Sequence, residues 1–331
     1  MPYILNKLDH YGIRGIELNW FESYLKKRQQ YVFLKGESSD LKSITCGVPQ
    51  ESVLGPLLFL LYINNLPNIS KILDLYLFAD DTNIYYQDDS LIKLEKIINK
   101  ELRSLYLWLN VNRLSLNIDK TNFVIFHPFN KPLKYNVTIM IHKKAIREQN
   151  SIKYLGIIID STLSWKDHVI HLSKKLSRVV GILYKLKHFV NKKIMNNIYY
   201  ALFYSHVIYA IEVWGSTSNI YINNIIILQK RVIRLMSNKD QFPAIPGPLY
   251  PTSGLFSELS LLKIKDIFIL QISKFIHKCI NFYIISNFNN WFKLNCETHS
   301  YLTRSNFNHS TKTVALTIYI YHMEEHLIMA F

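Results

Sequence analysis

The chain has 331 residues, enough for a sizeable core and for two or three subdomains rather than one. Its 39 Lys and Arg against 24 Asp and Glu give a net charge of +15, which favours a polyanionic partner, nucleic acid or an anionic membrane surface. Three cysteines, Cys46, Cys279 and Cys296, are too few and too scattered for a disulfide framework and lack zinc spacing; the N-terminus MPYILNKLDH lacks a signal peptide's basic start and long apolar run.

In chain order, Ile16 to Lys27 carries Leu18, Phe21 and Leu25 at helical spacing and exits into Lys26, Lys27 and Arg28. Gln30 to Lys35 and Leu41 to Cys46 are β-prone and predict a hairpin with a longer loop over residues 36–40. Gly47 and Pro49 then force a bend before the apolar helix of Val53 to Ile63. That run is short and holds Pro56, and Ile198 to Trp214 is broken by Ser205, His206 and Glu212. Neither reaches the roughly 20 apolar residues of a spanning helix, so no membrane span is expected.

Leu75 to Tyr86, LYLFADDTNIYY, organises the rest. Leu75 to Ala79 reads as a buried strand, Thr82 to Tyr86 as its return, and Asp80 and Asp81 fall where the chain turns. Paired Asp at a turn can be punctuation, because the side chain bonds its own backbone. Two acids on a rigid hairpin can also form an oxygen-rich site for Mg²⁺, and the neighbouring stretches decide between the two. Downstream, Leu91, Leu94, Ile98, Leu102, Leu105 and Leu109 mark an amphipathic helix with Asp89 or Ser90 as N-cap. Thr121 to Phe126 reads as a strand preceded by Lys120. Val137 to Ile141 and Lys153 to Ile159 read as another strand pair, joined through Lys143, Lys144 and Arg147.

From Trp165 the pattern turns helical. Val169, Leu172, Leu176, Val179, Leu183 and Leu186 form one stripe, with Lys174, Arg178 and Lys185 on another face. Helices follow at Lys192 to Val213, Tyr221 to Met236 and Glu258 to Phe282. Lys230, Arg231 and Arg234 add a basic patch, and PAIPGPLYPTSG at Pro243 to Gly254 is a connector. The final YHMEEHLIMAF suggests no role.

The order GVPQ, apolar helix, FADD in Cys46 to Leu66 (CGVPQESVLGPLLFLLYINNL) and Leu75 to Tyr86 resembles the palm of reverse transcriptases of non-LTR retrotransposons, jockey-like and LINE-like elements. The resemblance extends through Asn6 to Gly15 (NKLDHYGIRG), Lys120 to Phe126 (KTNFVIF), Lys153 to Trp165 (KYLGIIIDSTLSW) and, more loosely, to His299 to Ser305 (HSYLTRS). It implies an α+β fold: a right-hand palm, an antiparallel sheet with packed helices, over 1–163, a helical thumb over 164–240 and C-terminal helices with an irregular tail over 255–331. By the same resemblance Asp80 and Asp81 hold Mg²⁺, two ions in an intact enzyme, and Lys120 acts beside the leaving pyrophosphate. Gly47, Pro49, Gln50, Phe78 and Ala79 lie against template and incoming nucleotide, the turn at Leu155 and Gly156 grips the primer, and Lys174, Arg178 and Lys185 track the duplex. The implied partners are an RNA template, a DNA primer and deoxynucleoside triphosphates, in an intracellular setting.

Two departures lower the activity expected of this chain alone. Glu51 stands where the family has Gly, bringing a carboxylate and bulk beside nucleotide phosphates. The third metal-binding Asp lies, in the family, in a segment just ahead of NKLDHYGIRG, and Asp9, Asp40 and Asp74 do not sit in that strand pattern; the fingers and an endonuclease domain are likewise expected outside this chain. The alternative expectation is a non-catalytic nucleic-acid-binding remnant of a mobile element.

Overall fold

The computed structural model describes residues 2–44, 47–48, 51–131, 133, 135–237, 252–281, 293–294, 309–310 and 326–330. They fall in two compact units, one drawn from Met1–Ile125, Leu133–Gln149 and Glu325–Phe331, the other from Phe126–Pro132 and Asn150–Glu324. Helix and strand are mixed, as an α+β chain requires.

The first unit opens with α1 (Pro2–His10) and α2 (Ile16–Leu25). Ile4, Leu8 and Leu25 bury against Leu58 of α3 (Leu54–Ile63) in a small core. The Lys7 amine sits over the Tyr62 ring and bonds Asn65 Oδ1 at 2.9 Å, tying α1 to the end of α3; burial lowers its pKa. Between α2 and α3 the chain runs out as exposed ribbon, β1 (Gln29–Gln30) on β4 (Lys42–Ser43) and β2 (Phe33–Leu34) on β3 (Glu37–Ser38). The expected loop over 36–40 is instead a two-residue turn. Lys35 and Gly36 both take positive φ, 52° and 91°, which matches the twist of a tight hairpin.

β5 (Asp74–Phe78) and β6 (Asp81–Gln87) pair antiparallel, then α4 (Leu91–Val111) crosses to β7 (Asn122–Phe126). Leu91, Leu94, Ile98, Leu102 and Leu105 bury as their spacing predicts, against Ile84, Phe123 and Ile125. Ser90 is the N-cap residue, but the carboxylate that bonds there is that of Asp88, which accepts the Ser90 N–H at 2.9 Å. Short strands β8 (Met140–Ile141) and β9 (Lys144–Ala145) close on His142 and Lys143, and β10 (Arg147–Glu148) lies parallel to β7. Val137 to Ile141 therefore does not pair with residues 153–159.

Two readings of the sheet change. β5 is not buried: its residues alternate between exposed and half-buried, because it forms the sheet edge with one face on the core. Part of the C-terminal segment, which suggested no role, is a strand. His326–Ala330 pairs antiparallel with β6, from His326 opposite Gln87 to Ala330 opposite Asn83, and the sheet order is β10, β7, the C-terminal strand, β6, β5.

The second unit begins with the hairpin of β11 (Ser151–Tyr154) and β12 (Ile157–Asp160) and continues into α5 (Lys166–Leu186). The expected helix over 192–213 is broken into α6 (Lys192–Ile198), a π-helical run Tyr199–Tyr204, α7 (Ser205–Ile208) and α8 (Ile211–Trp214). The last break falls at Ala210, whose φ is 49°. Trp214, fully buried, stabilises it by donating its indole N–H to the Tyr209 carbonyl at 3.0 Å. α9 (Asn219–Met236), α10 (Ser253–Glu258) and α11 (Ile264–Ile280) follow; the expected helix from Glu258 is interrupted at Ser260, at φ 52°.

The α5 stripe buries with Phe203, Trp214, Val232 and Ile264 in one core. Buried Gln229 pins α9 to α11, its amide donating to Leu262 O at 2.9 Å and to the Tyr199 hydroxyl at 3.1 Å while accepting the Ile264 N–H at 3.2 Å. Burial pushes the Tyr199 phenol up to about 12. Cys279 is a buried free thiol; Cys46, Cys296, the connector over 243–251 and the HSYLTRS segment lie outside the described residues. Among the described residues no helix is long and apolar enough to cross a membrane.

His168 gives this unit a pH dependence. Its Nδ1 accepts the Ile158 N–H at 3.3 Å, joining α5 to β12, and burial, with His171 and Lys175 nearby, lowers its pKa to about 4. A base depressed in the fold binds its proton more readily unfolded, so its contribution is complete above pH 6.5 and is lost as pH falls to about 4. Thermal melts should lose about 2 kcal/mol of stability across that window, and His168→Asn should flatten the loss.

Candidate active site

The β5–β6 hairpin positions the acids by simple geometry. Phe78 and Asp81 are the last paired residues, so Ala79 and Asp80 form a two-residue turn, with Ala79 at φ 51°. Asp80 stands in the turn and Asp81 opens β6, both exposed. Phe78 and Ala79 are exposed beside them. Among the described residues neither carboxylate has a hydrogen-bond or ion-pair partner, so both remain available to a cation.

Asn83 is a residue that no motif or periodicity singles out. It follows Asp81 by two positions on the same face of β6, is 1% exposed, and among the described residues neither end of its carboxamide is hydrogen bonded. Such a group is costly, about 1–3 kcal/mol, unless something meets it. The two carboxylates and the Asn83 Oδ1 are hard oxygen donors, the chemistry that Mg²⁺ accepts. Among the described residues no cluster of three His, Cys, Asp or Glu completes a cage; Mg²⁺ is commonly held by one or two carboxylates with water and phosphate filling the rest.

Gly47 takes φ 77°, with open space where a side chain would stand. The Arg28 guanidinium holds this bend, donating to Gly47 O at 2.5 Å and to Leu25 O at 3.2 Å. Pro49 and Gln50 lie outside the described residues. Glu51 adopts φ 55°, a left-handed conformation that glycine takes freely. The expected difficulty at Glu51 was its charge and bulk; the backbone adds a second. Glu51→Gly should therefore raise stability by about 0.5–1 kcal/mol in urea unfolding, relief of the left-handed cost exceeding the extra entropy of the unfolded glycine.

Lys120 is exposed in the turn before β7, its N–H donating to Asn117 O at 3.1 Å and its carbonyl accepting from Asn122 Nδ2 at 2.9 Å. No described hydrogen bond or ion pair joins it to either acid. In the other unit Leu155 and Gly156 form the β11–β12 turn at φ 43° and 86°. Lys174, Arg178 and Lys185 are exposed along α5, opposite its buried stripe, and Lys230 and Arg231 are exposed on α9.

Residues 1–159, which hold both the Gly47 bend and the acid hairpin, match the family described as reverse transcriptase (RNA-dependent DNA polymerase). The chain carries a reverse transcriptase domain. It is 26% identical over 231 residues to the RNA-directed DNA polymerase from mobile element jockey of Drosophila melanogaster, covering 65% of this chain and 24% of that protein. It is 28% identical over 230 residues to the probable RNA-directed DNA polymerase from transposon X-element of the same species, covering 67% and 25%. A Nasonia vitripennis Pol polyprotein from the type-1 retrotransposable element R1 2 is 24% identical over 140 residues, covering 40% and 34%. The reverse transcriptase domain is thus homologous to those of non-LTR retrotransposons, and the chain spans about a quarter of the length of the jockey and X-element relatives.

Proposed function

We propose that this chain supplies the metal-holding hairpin and the nucleic-acid-holding helices of an RNA-directed DNA polymerase, with a palm over 1–163, a thumb over 164–240 and further helices over 255–331. The observation that carries this reading is the unpartnered pair Asp80 and Asp81 at a hairpin tip inside the matched domain. Asp80 and Asp81 would hold Mg²⁺, with the Asn83 amide behind them. When bound, the ions lower the charge repulsion between primer hydroxyl and triphosphate and steady the departing pyrophosphate.

The chain's own side chains do the positioning. Gly47, Pro49 and Gln50, with Phe78 and Ala79, lie under template and incoming nucleotide; Lys120 neutralises charge on the leaving group; Leu155 and Gly156 hold the primer end. Lys174, Arg178 and Lys185 contact duplex phosphates, which fixes register without reading sequence. The setting is intracellular, in nucleus or cytoplasm, with RNA template, DNA primer and deoxynucleoside triphosphates as partners.

The test is binding of an RNA–DNA duplex by the purified chain as salt is varied. Replacing Lys174, Arg178 and Lys185 by alanine should flatten the slope of log affinity against log salt by about 2–3, as loss of three phosphate contacts demands. Asp80→Asn with Asp81→Asn should abolish only the Mg²⁺-dependent part of nucleotide binding. An unchanged salt slope would contradict the assignment of the α5 face. Duplex binding that never responds to Mg²⁺ would favour the second reading, a non-catalytic remnant, for which the left-handed Glu51 is the supporting observation.

A further inference from the structure

The β11–β12 turn is built from a mismatched pair. A two-residue hairpin turn with both residues left-handed favours Asn-Gly or Gly-Gly, and here Leu155 occupies the first position at φ 43°. Leucine has neither glycine's freedom nor a short polar side chain to bond locally, so something else must hold the conformation.

Tyr209 is placed to do so. Its hydroxyl donates to the Leu155 carbonyl, 54 residues away in sequence. Its ring covers Gly156 so closely that a Cβ built there would lie 3.4 Å from Cε1. Tyr209 itself comes from the break between α7 and α8, next to left-handed Ala210, and its carbonyl accepts the indole N–H of Trp214 at 3.0 Å. A buried tryptophan therefore holds the tyrosine's backbone, and the tyrosine's hydroxyl holds the turn. Tyr209 is 53% exposed, so burial of apolar surface does not explain its position.

We propose that Tyr209 is a positioning residue: it locks the Leu155–Gly156 turn in the conformation that holds a primer end. The lock is a matter of geometry; its role at the primer rests on the function proposed above.

The experiment uses Tyr209→Phe in the full chain, which keeps the ring and removes the hydroxyl. Amide exchange at residues 155–158 should accelerate by about tenfold, and the thermal midpoint should stay within about 2 °C. Affinity for a duplex with a recessed primer end should fall about fivefold, while affinity for a blunt duplex of equal length is kept. Adding Leu155→Asn, which tolerates the left-handed turn unaided, should restore both readouts. Unchanged exchange in Tyr209→Phe would overturn the lock. Faster exchange with equal losses on both duplexes would overturn the positioning role. Should the unaltered chain not distinguish recessed from blunt ends, the primer-grip reading fails while the exchange result still judges the lock.

Discussion

Asp160→Ala is expected to destabilise the helical unit by about 3 kcal/mol, in urea unfolding followed by tryptophan fluorescence. The carboxylate is 7% exposed. Its Oδ2 accepts from Thr162 Oγ1 at 2.8 Å and from the Ser164 N–H and hydroxyl, each at 2.9 Å, and its Oδ1 accepts the Trp165 N–H at 2.7 Å. Two of these donors are backbone N–H groups at the entry to α5, where a helix has no internal acceptors to offer. Alanine removes every partner at once and leaves the buried Trp165 N–H and the half-buried Ser164 N–H unmet, while Trp165, at φ 63°, loses the bond that holds its left-handed backbone. The four contacts share one carboxylate and do not add, so the loss falls well below their sum. Asp160→Asn keeps an acceptor and should cost about 1 kcal/mol. A loss under 1 kcal/mol for alanine would mean that the turn carries itself.

Removing residues 326–331 is expected to cost the first unit about 3–5 kcal/mol, since five paired residues leave and two neighbouring strands lose their ladder. β6 and β7 would then present open edges, which invite pairing between molecules. Amide exchange should rise over 83–87 and 122–126 and the protein should associate in a concentration-dependent way. A synthetic peptide of residues 326–331 should reverse both effects. Exchange unchanged at β6 would show that the strand contributes nothing to the sheet.

What was legible in the sequence was local. The acid hairpin was readable because two β-prone runs flank the paired Asp at hairpin spacing, and α4 and α5 because their Leu and Val recur every three or four residues. β5 misled because an unbroken apolar run looks the same at a sheet edge as at its centre; strand order, a non-local property, decides. The break at Tyr209 and Ala210 could not be read from the local pattern, since it depends on Trp214 bonding back to a residue five positions earlier and on a turn 54 residues away. His326–Ala330 sits about 240 residues from its partner strand, beyond any periodicity. The positive φ at Glu51 had one visible signal, the glycine that the resemblance places there.

The central claim is that Asp80 and Asp81 anchor a divalent cation in a polymerase sheet, and it is tested most directly by substituting Fe²⁺ for Mg²⁺ and mapping oxidative backbone cleavage. With an RNA–DNA primer–template and a nucleoside triphosphate bound, the cuts should centre on residues 78–83 and vanish in Asp80→Asn with Asp81→Asn. Cleavage centred elsewhere, or indifferent to those two substitutions, would contradict it.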